Sequence, residues 1–164
     1  PTQKIKQYSR GMTMKLAIAA ALSHHPQLLV LDEATSGLDP IMRDEMLDVF
    51  LDFVQDEQHS ILLSSHITSD LEKIADYITF IHNGRLILSA MKDDLRYNYG
   101  VMRCSENQFQ ALNQEDMMAY LKRDYQVDVL LSDSKAAQRK YRDAVIDHVS
   151  IDEIMLLLIK GERR

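Results

Sequence analysis

Two adjacent carboxylates, Asp32 and Glu33, follow a run of apolar residues, LLVL, at positions 28–31. The run is typical of a buried parallel strand, and open α/β sheets bind their ligands at the carboxyl ends of such strands. Ionised groups there lose hydration unless a metal, a proton or a donor compensates them. A divalent cation beside a phosphate would do so, with one acid serving the metal and the other the attacking water. For the dipeptide alone, the alternative is a strand that ends at a solvated turn.

A second candidate site precedes this stretch, at the start of a predicted helix. The apolar, alanine-rich pattern from Met14 to Ser23 indicates the helix, and Ser9 is a suitable N-cap residue. The free amides of a first helical turn, together with the helix dipole, favour anions. Gly11 would let a phosphate approach the backbone closely. Simple helix capping is the alternative for these residues taken by themselves.

These stretches together resemble the nucleotide-binding subunits of ABC transporters. The sequence YSRGM at positions 8–12 is similar to the family's signature motif LSGGQ, and LLVLDE followed by ATSGLD is similar to its Walker B strand and D-loop. As in that family, the signature helix runs directly into the Walker B strand. A second apolar run, SILLSS at positions 60–65, ends at His66, where the family has its switch histidine. The resemblance covers roughly the first 90 residues, and four elements in this order are a specific signal.

The resemblance implies roles for individual residues. Asp32 would hold Mg²⁺ through water, and Glu33 would orient and deprotonate the water that attacks the γ-phosphate of ATP. His66 would form a hydrogen bond with the γ-phosphate. Asp39 would reach across a dimer interface while capping the helix that Pro40 opens.

The resemblance also implies partners. Ser9 and the amide of Gly11 would contact the γ-phosphate of ATP held by a second nucleotide-binding subunit, so two nucleotides would lie between two subunits arranged head to tail. The intact protein would be the ATPase that energises a membrane transporter. It would bind membrane-spanning permease subunits and lie in the cytoplasm, peripheral to the inner face of the cell membrane.

The motifs depart from the family pattern at several positions. The signature has Tyr8 for leucine, Arg10 for the first glycine and Met12 for glutamine, and Ala34 stands where the family usually has proline. The residues nearest the chemistry are retained, so we expect a competent site with altered packing around it. Arg10 is interpreted either as an extra phosphate or partner contact or as a solvated side chain.

A P-loop is missing from the sequence. None of the 5 glycines in the sequence lies in a G-x-x-x-x-G-K-[ST] pattern. That pattern supplies the amides and the lysine that hold the β- and γ-phosphates. The chain therefore resembles the carboxyl-terminal portion of a nucleotide-binding subunit, and we expect it not to hydrolyse ATP by itself. The missing P-loop strand would leave a gap in the sheet. We expect rearrangement, or pairing with another copy, to fill that gap, because open edges invite association.

The fold class follows from the remaining patterns. Residues 77–82 and 85–90 read as strands joined by Asn83-Gly84, a strong hairpin signal. Beyond Tyr97 the family motifs end, and the patterns predict strands at 101–105 and 127–132, a helix around 109–121 and a last helix at 150–161. We predict an α/β fold: an incomplete P-loop NTPase sheet with flanking helices in residues 1–97, and an accessory α+β region in residues 98–164.

Composition narrows the classes of function. The net charge of −6 argues against nucleic acid as a partner. The single cysteine, Cys104, fits a reducing compartment. No apolar run approaches the ~18 residues that span a bilayer, so direct insertion into a membrane is not expected. Two alternatives to the transporter ATPase remain: a soluble ABC ATPase that acts on nucleic acid or the ribosome, and a non-catalytic dimerisation module. The first would require a second signature motif or a long charged coil, and the sequence has neither.

Overall fold

The structure is a computed structural model that describes residues 4–163. The chain divides into two compact units, residues 1–74 and residues 75–164. The predicted boundary after Tyr97 lies where the family motifs end, which is a different criterion from compactness. A functional boundary at that position therefore stays a prediction.

The first unit contains two parallel strands and three α-helices among its described residues. Leu28 pairs with Ser60 at one end of the two-stranded sheet, and Asp32 pairs with Ser64 at the other. The elements in chain order are a 3₁₀ turn at Ile5–Gln7, α1 at Arg10–Leu22, β1 at Leu28–Asp32, α2 at Pro40–Phe53, β2 at Ser60–Ser64 and α3 at Thr68–Ile74.

One face of this sheet packs against a core and the other does not. Leu29 is 4% exposed, whereas its neighbour Val30 is 68% exposed and Leu62 on β2 is 64% exposed. Because side chains alternate along a strand, the predicted burial of this strand holds for the face that carries Leu29 and not for the face that carries Val30. The buried core side chains are Ile18, Ala34, Leu38, Met46, Leu47 and Phe50.

The second unit begins with the predicted hairpin. Strand β3 (Tyr77–His82) pairs antiparallel with β4 (Arg85–Met91). Asn83 and Gly84 connect them with φ values of 48° and 72°, which is the left-handed geometry of a two-residue hairpin turn. A short helix, α4 (Lys92–Tyr97), follows.

The predicted gap in the first sheet is not filled by rearrangement within the described residues. There β2 pairs with β1 alone, β3 pairs with β4 alone, and the strands form three separate sheets. Pairing with another copy stays a prediction.

The rest of the second unit is a five-stranded antiparallel sheet with the order β8-β5-β7-β6-β9. Its first four strands have the alternation and the order of a ferredoxin-like βαββαβ unit. Its elements are β5 at Gly100–Cys104, α5 at Glu106–Gln110, a 3₁₀ turn at Gln114–Asp116, β6 at Met117–Lys122, β7 at Val127–Leu131, α6 at Ser134–Lys140, β8 at Ile146–His148, α7 at Ile151–Lys160 and β9 at Glu162–Arg163.

The predicted strands at 101–105 and 127–132 are confirmed, but the predicted helix around 109–121 is wrong. The chain there forms the short α5, a 3₁₀ turn and then β6, which pairs with β7 on one side and β9 on the other. Pairing in the sheet overrides the local helical preference of this segment.

Helices cover both faces of the central strand β7. Val129 and Leu131 lie in one core cluster with Ala137 of α6. Leu130 faces the opposite side, where α7 packs on β6 and β7 and buries Ile154 and Leu157 completely. The last helix, predicted at 150–161, is therefore confirmed as α7. None of the described helices is long and apolar enough to cross a bilayer.

Candidate functional site

The structure brings three predicted site residues together at the carboxyl ends of β1 and β2. Asp32 ends β1, Glu33 follows it directly, and His66 stands just beyond the end of β2. The strands are parallel and in register, so their carboxyl ends lie at the same edge of the sheet. Nδ1 of His66 lies 2.6 Å from Oε2 of Glu33, within hydrogen-bond distance.

Glu33 has a left-handed backbone conformation. Its φ of 49° is unusual for a residue other than glycine, and the conformation costs about 1 kcal/mol. The turn that follows is closed by the amide of Ser36, which donates to the carbonyl of Glu33 at 3.0 Å. The chain thus bends sharply after Asp32, and the carboxylate of Glu33 meets the imidazole of His66. Backbone strain of this kind is concentrated at functional sites.

Sequence reasoning missed Ser64, which forms hydrogen bonds with the carboxylate of Asp32 and the backbone amide of Glu33. Its hydroxyl donates to Oδ1 of Asp32. The amide of Glu33 donates to the carbonyl of Ser64 at 3.0 Å and also approaches its hydroxyl oxygen at 3.3 Å. The partner of Asp32 depends on the register of β1 against β2, and no pattern in the sequence gives that register.

The second group of predicted residues lies around an open hollow in the same unit. Ser9 caps α1, its hydroxyl accepting from the amide of Met12 at 3.2 Å, and Asp39 caps α2, its Oδ1 accepting from the amide of Met42 at 3.0 Å. Both predicted caps are confirmed. The hollow is lined by Ser9, Arg10, Gly11, Met12, Lys15, Gly37, Leu38, Asp39 and Met42.

The two groups of predicted residues are separate. Asp32, Glu33 and His66 are not part of the lining of the hollow, which holds Ser9 and Gly11.

The guanidinium of Arg10 lies over Gly37 in the turn before α2. A Cβ atom added to Gly37 would lie 2.5 Å from Nη1 of Arg10, and the φ of Gly37 is 70°. The absence of a side chain at position 37 therefore makes room for the arginine. Arg10 is exposed. Nearby, Nζ of Lys15 binds Oε2 of Glu45 at 2.7 Å.

The acids at the end of β1 have the donor chemistry of a magnesium site that is completed by other ligands. No group of three or more His, Cys, Asp or Glu side chains able to hold a metal ion exists within residues 4–163. Mg²⁺, however, is often bound through one or two carboxylates plus phosphate oxygens and water. Asp32 fits that role, because it is exposed and only its Oδ1 accepts a hydrogen bond from the described residues.

Sequence comparison finds similar segments in ABC transporter proteins. The family model described as "ABC transporter" matches residues 1–36. The lantibiotic transport ATP-binding protein SrtF of Streptococcus pyogenes is 45% identical over 89 residues, which cover 54% of this chain and 38% of that protein. The bacitracin transport ATP-binding protein BcrA of Bacillus licheniformis is 40% identical over 92 residues, covering 56% of this chain and 30% of that protein.

Structural comparison agrees with these matches. An ABC transporter solved in an inward-facing conformation superimposes with a TM-score of 0.52 at 16% identity, covering 79% of this chain and 49% of that one. At that identity the likeness shows the fold alone, which is consistent with a partial ABC ATPase fold. The predicted resemblance to ABC transporter ATP-binding proteins is confirmed. The matched segment spans 38% or less of the length of the two curated relatives described above.

Proposed function

We propose that this chain is part of the ATP-binding and ATP-hydrolysing subunit that energises an ABC-type membrane transporter. The observation that supports the proposal best is the meeting of Asp32, Glu33 and His66 at the ends of two parallel strands. ATP hydrolysis uses a carboxylate that holds Mg²⁺ and a residue that orients or deprotonates the attacking water, and the family resemblance adds a histidine beside the γ-phosphate.

Each residue has one task in this proposal. Asp32 would hold Mg²⁺ through water, where the ion neutralises negative charge on the phosphates. Glu33 would accept a proton from the attacking water, and its carboxylate lies beside His66 at the end of β2.

His66 would exchange one partner for another during the cycle. A neutral ring that donates its Nδ1 hydrogen to Glu33 has no hydrogen on Nε2 and cannot donate from that atom to a phosphate. In this proposal the pair seen in the structure, with its 2.6 Å contact between Nδ1 of His66 and Oε2 of Glu33, would be a resting arrangement. When the γ-phosphate is bound, a hydrogen bond from His66 to it would release the carboxylate of Glu33 to the attacking water.

The hollow beside α1 would serve a second subunit. Ser9 and the amide of Gly11 stand at the start of α1, where helix amides and the dipole favour a phosphate. They are separate from Asp32 and Glu33, which supports contact with the nucleotide of the opposite subunit in a head-to-tail dimer. Asp39, exposed at the start of α2, would touch that subunit.

Other parts of the assembly come from outside this chain. The P-loop that holds the β- and γ-phosphates is not in this sequence, so we propose that the chain alone does not hydrolyse ATP. Permease subunits would supply the membrane-spanning path, with the ATPase at the inner face of the membrane. Two relatives are named for lantibiotic and bacitracin transport, so compounds of these two kinds are the first cargo to test.

The test is ATP hydrolysis by a polypeptide that joins this chain to a P-loop segment. We expect Glu33→Gln to lower turnover by about 100-fold or more, the contribution of a general base, while ATP binding persists. Ser60→Ala, at the opposite end of β2, is the matched control and should leave turnover unchanged. Full turnover by the Glu33→Gln variant would show that the base is wrongly assigned.

A further inference from the structure

Ser64 is the one serine of the SILLSS segment whose hydroxyl reaches a carboxylate in the described structure. Ser65 uses its hydroxyl oxygen differently, accepting from the amide of Ile67 at 3.0 Å. Ser60 lies at the start of β2, opposite Leu28, at the far end of the sheet from the acids. Ser64 is paired with Asp32 in the strand register, and its hydroxyl donates to Oδ1 of that residue.

The hydrogen-bonding capacity of this hydroxyl matches its surroundings. A serine hydroxyl has one hydrogen to donate and two lone pairs to accept with. The hydrogen is directed to Asp32, and the lone pairs face the amide of Glu33 at 3.3 Å. One side chain on β2 therefore contacts the carboxylate of one acid and the backbone of the next.

The contact fixes the orientation of the Asp32 side chain. A free aspartate on an exposed strand end samples several rotamers, and a hydrogen bond from Ser64 to Oδ1 favours the one orientation that forms it. Its other oxygen, Oδ2, accepts no hydrogen bond from any residue between 4 and 163. That oxygen is left available at the edge of the sheet where Glu33 and His66 also lie.

We propose that Ser64 is a positioning residue, which holds the Asp32 carboxylate so that Oδ2 faces the Mg²⁺–phosphate complex. The inference rests on the proposed function, in which Asp32 binds Mg²⁺ through water. Partners of this kind orient metal-binding carboxylates and affect metal affinity without touching the metal themselves. Ser64 does not contact the reacting atoms.

The first test measures the orientation of Asp32 in the 164-residue chain, with no metal present. Three-bond NMR couplings to the β-protons of Asp32 report whether its χ1 angle has one value or is averaged. Ser64→Val removes the hydroxyl, and Ser64→Thr keeps it on a side chain of nearly the same shape. We expect one rotamer in the wild type and in Ser64→Thr, and averaged couplings in Ser64→Val. Unchanged couplings in Ser64→Val would overturn the proposal.

The second test measures the binding of Mn²⁺, a paramagnetic substitute for Mg²⁺. The bound ion broadens the NMR signals of amides around Asp32, and the broadening is followed as Mn²⁺ is added. We expect Ser64→Val to weaken Mn²⁺ binding by roughly 10-fold, the lower end of what such losses cost, with Ser64→Thr near the wild type. Ser60→Ala is the control and should bind Mn²⁺ as the wild type does. A purely structural role would lower thermal stability without separating the valine and threonine variants in Mn²⁺ affinity, and that result would overturn the proposal.

Asp32→Asn separates failure of this inference from failure of the proposed function. If Mn²⁺ broadens the amide signals of Asp32→Asn as it does those of the wild type, Asp32 does not hold the ion, and its metal role in the proposed function fails together with the positioning role of Ser64. If Asp32→Asn loses the broadening while Ser64→Val keeps wild-type affinity, the inference about Ser64 fails alone. Should Ser64→Val not fold, as judged by its amide spectrum, Ser64→Ala takes its place in both tests.

Discussion

Replacing Gly37 by alanine should destabilise the first unit through the backbone more than through the contact with Arg10. Gly37 has a φ of 70°, and an added Cβ would lie 2.5 Å from Nη1 and 2.6 Å from Cζ of Arg10. Two costs are therefore combined: a left-handed conformation for a residue with a side chain, and a steric overlap with the guanidinium. Only the first is unavoidable, because Arg10 is exposed and can turn away.

The magnitudes can be separated with a second glycine. Gly84 has nearly the same φ, 72°, but nothing lies within 4 Å of its added Cβ. Gly84→Ala should thus report the left-handed cost alone, about 1–2 kcal/mol. Gly37→Ala should cost the same plus less than about 1 kcal/mol for moving Arg10 to another rotamer. In an Arg10→Ala background the cost of Gly37→Ala should return to that of Gly84→Ala within about 0.5 kcal/mol.

Native-state hydrogen exchange is the appropriate assay, because it gives an opening free energy for each unit separately. Amides of α2 report the first unit, and amides of the β3–β4 hairpin report the second. A Gly37→Ala variant as stable as the wild type in both backgrounds would refute the left-handed geometry at this turn. A cost that is several times larger with Arg10 present than absent would show instead that the guanidinium is fixed in place.

Three further predictions concern the second unit. Ile154→Ala should lower the free energy of unfolding of this unit in urea by roughly 2–5 kcal/mol, because Ile154 is fully buried. Ile159→Ala should lower it much less, because the Ile159 side chain is 38% exposed. Equal losses of stability in the two variants would contradict the packing of α7. Burial raises the pKa of the Cys104 thiol, so a thiol reagent at about pH 8 should react only as fast as the unit opens, and labelling of the native chain at the rate of a free thiol would contradict this. Hydrogen bonds from Lys140 and Tyr141 hold the pKa of Asp116 below its usual value. The stability that these contacts add is fully present above the unfolded pKa of about 3.9. It is lost as the pH falls through the lower pKa of the folded state. Asp116→Asn should therefore flatten the acid decline of the thermal midpoint of the second unit below about pH 4, and an unchanged decline would show that the contact contributes nothing.

Local chemistry made part of the fold predictable. The caps at Ser9 and Asp39 and the Asn83-Gly84 turn depend on residues close together in sequence, and all three are confirmed. The segment around 109–121 was predicted wrongly because its conformation depends on distant partners. Strand β6 exists there because β7 and β9 pair with it, and a helical pattern in the sequence contains no information about those strands.

The candidate site divides in the same way. Asp32, Glu33 and His66 could be predicted because their motifs are contiguous in sequence and resemble a known family. Ser64 was not found, because its contact with Asp32 follows from the pairing of two strands separated by α2. Exposure of Val30 was missed for a related reason: burial of a strand face depends on which elements cover it.

Asp32, Glu33 and His66 would form half of a working ATPase site, and a chimaera tests this most directly. The 89-residue segment aligned with SrtF, a protein named as ATP-binding, would replace its counterpart in that protein, whose remaining residues would supply the P-loop. Single-turnover hydrolysis of ATP should then occur with the wild-type segment and fall by about 100-fold or more with Glu33→Gln, while ATP binding stays the same. A chimaera that folds and binds ATP but hydrolyses it equally well with and without the Glu33→Gln substitution would contradict the claim.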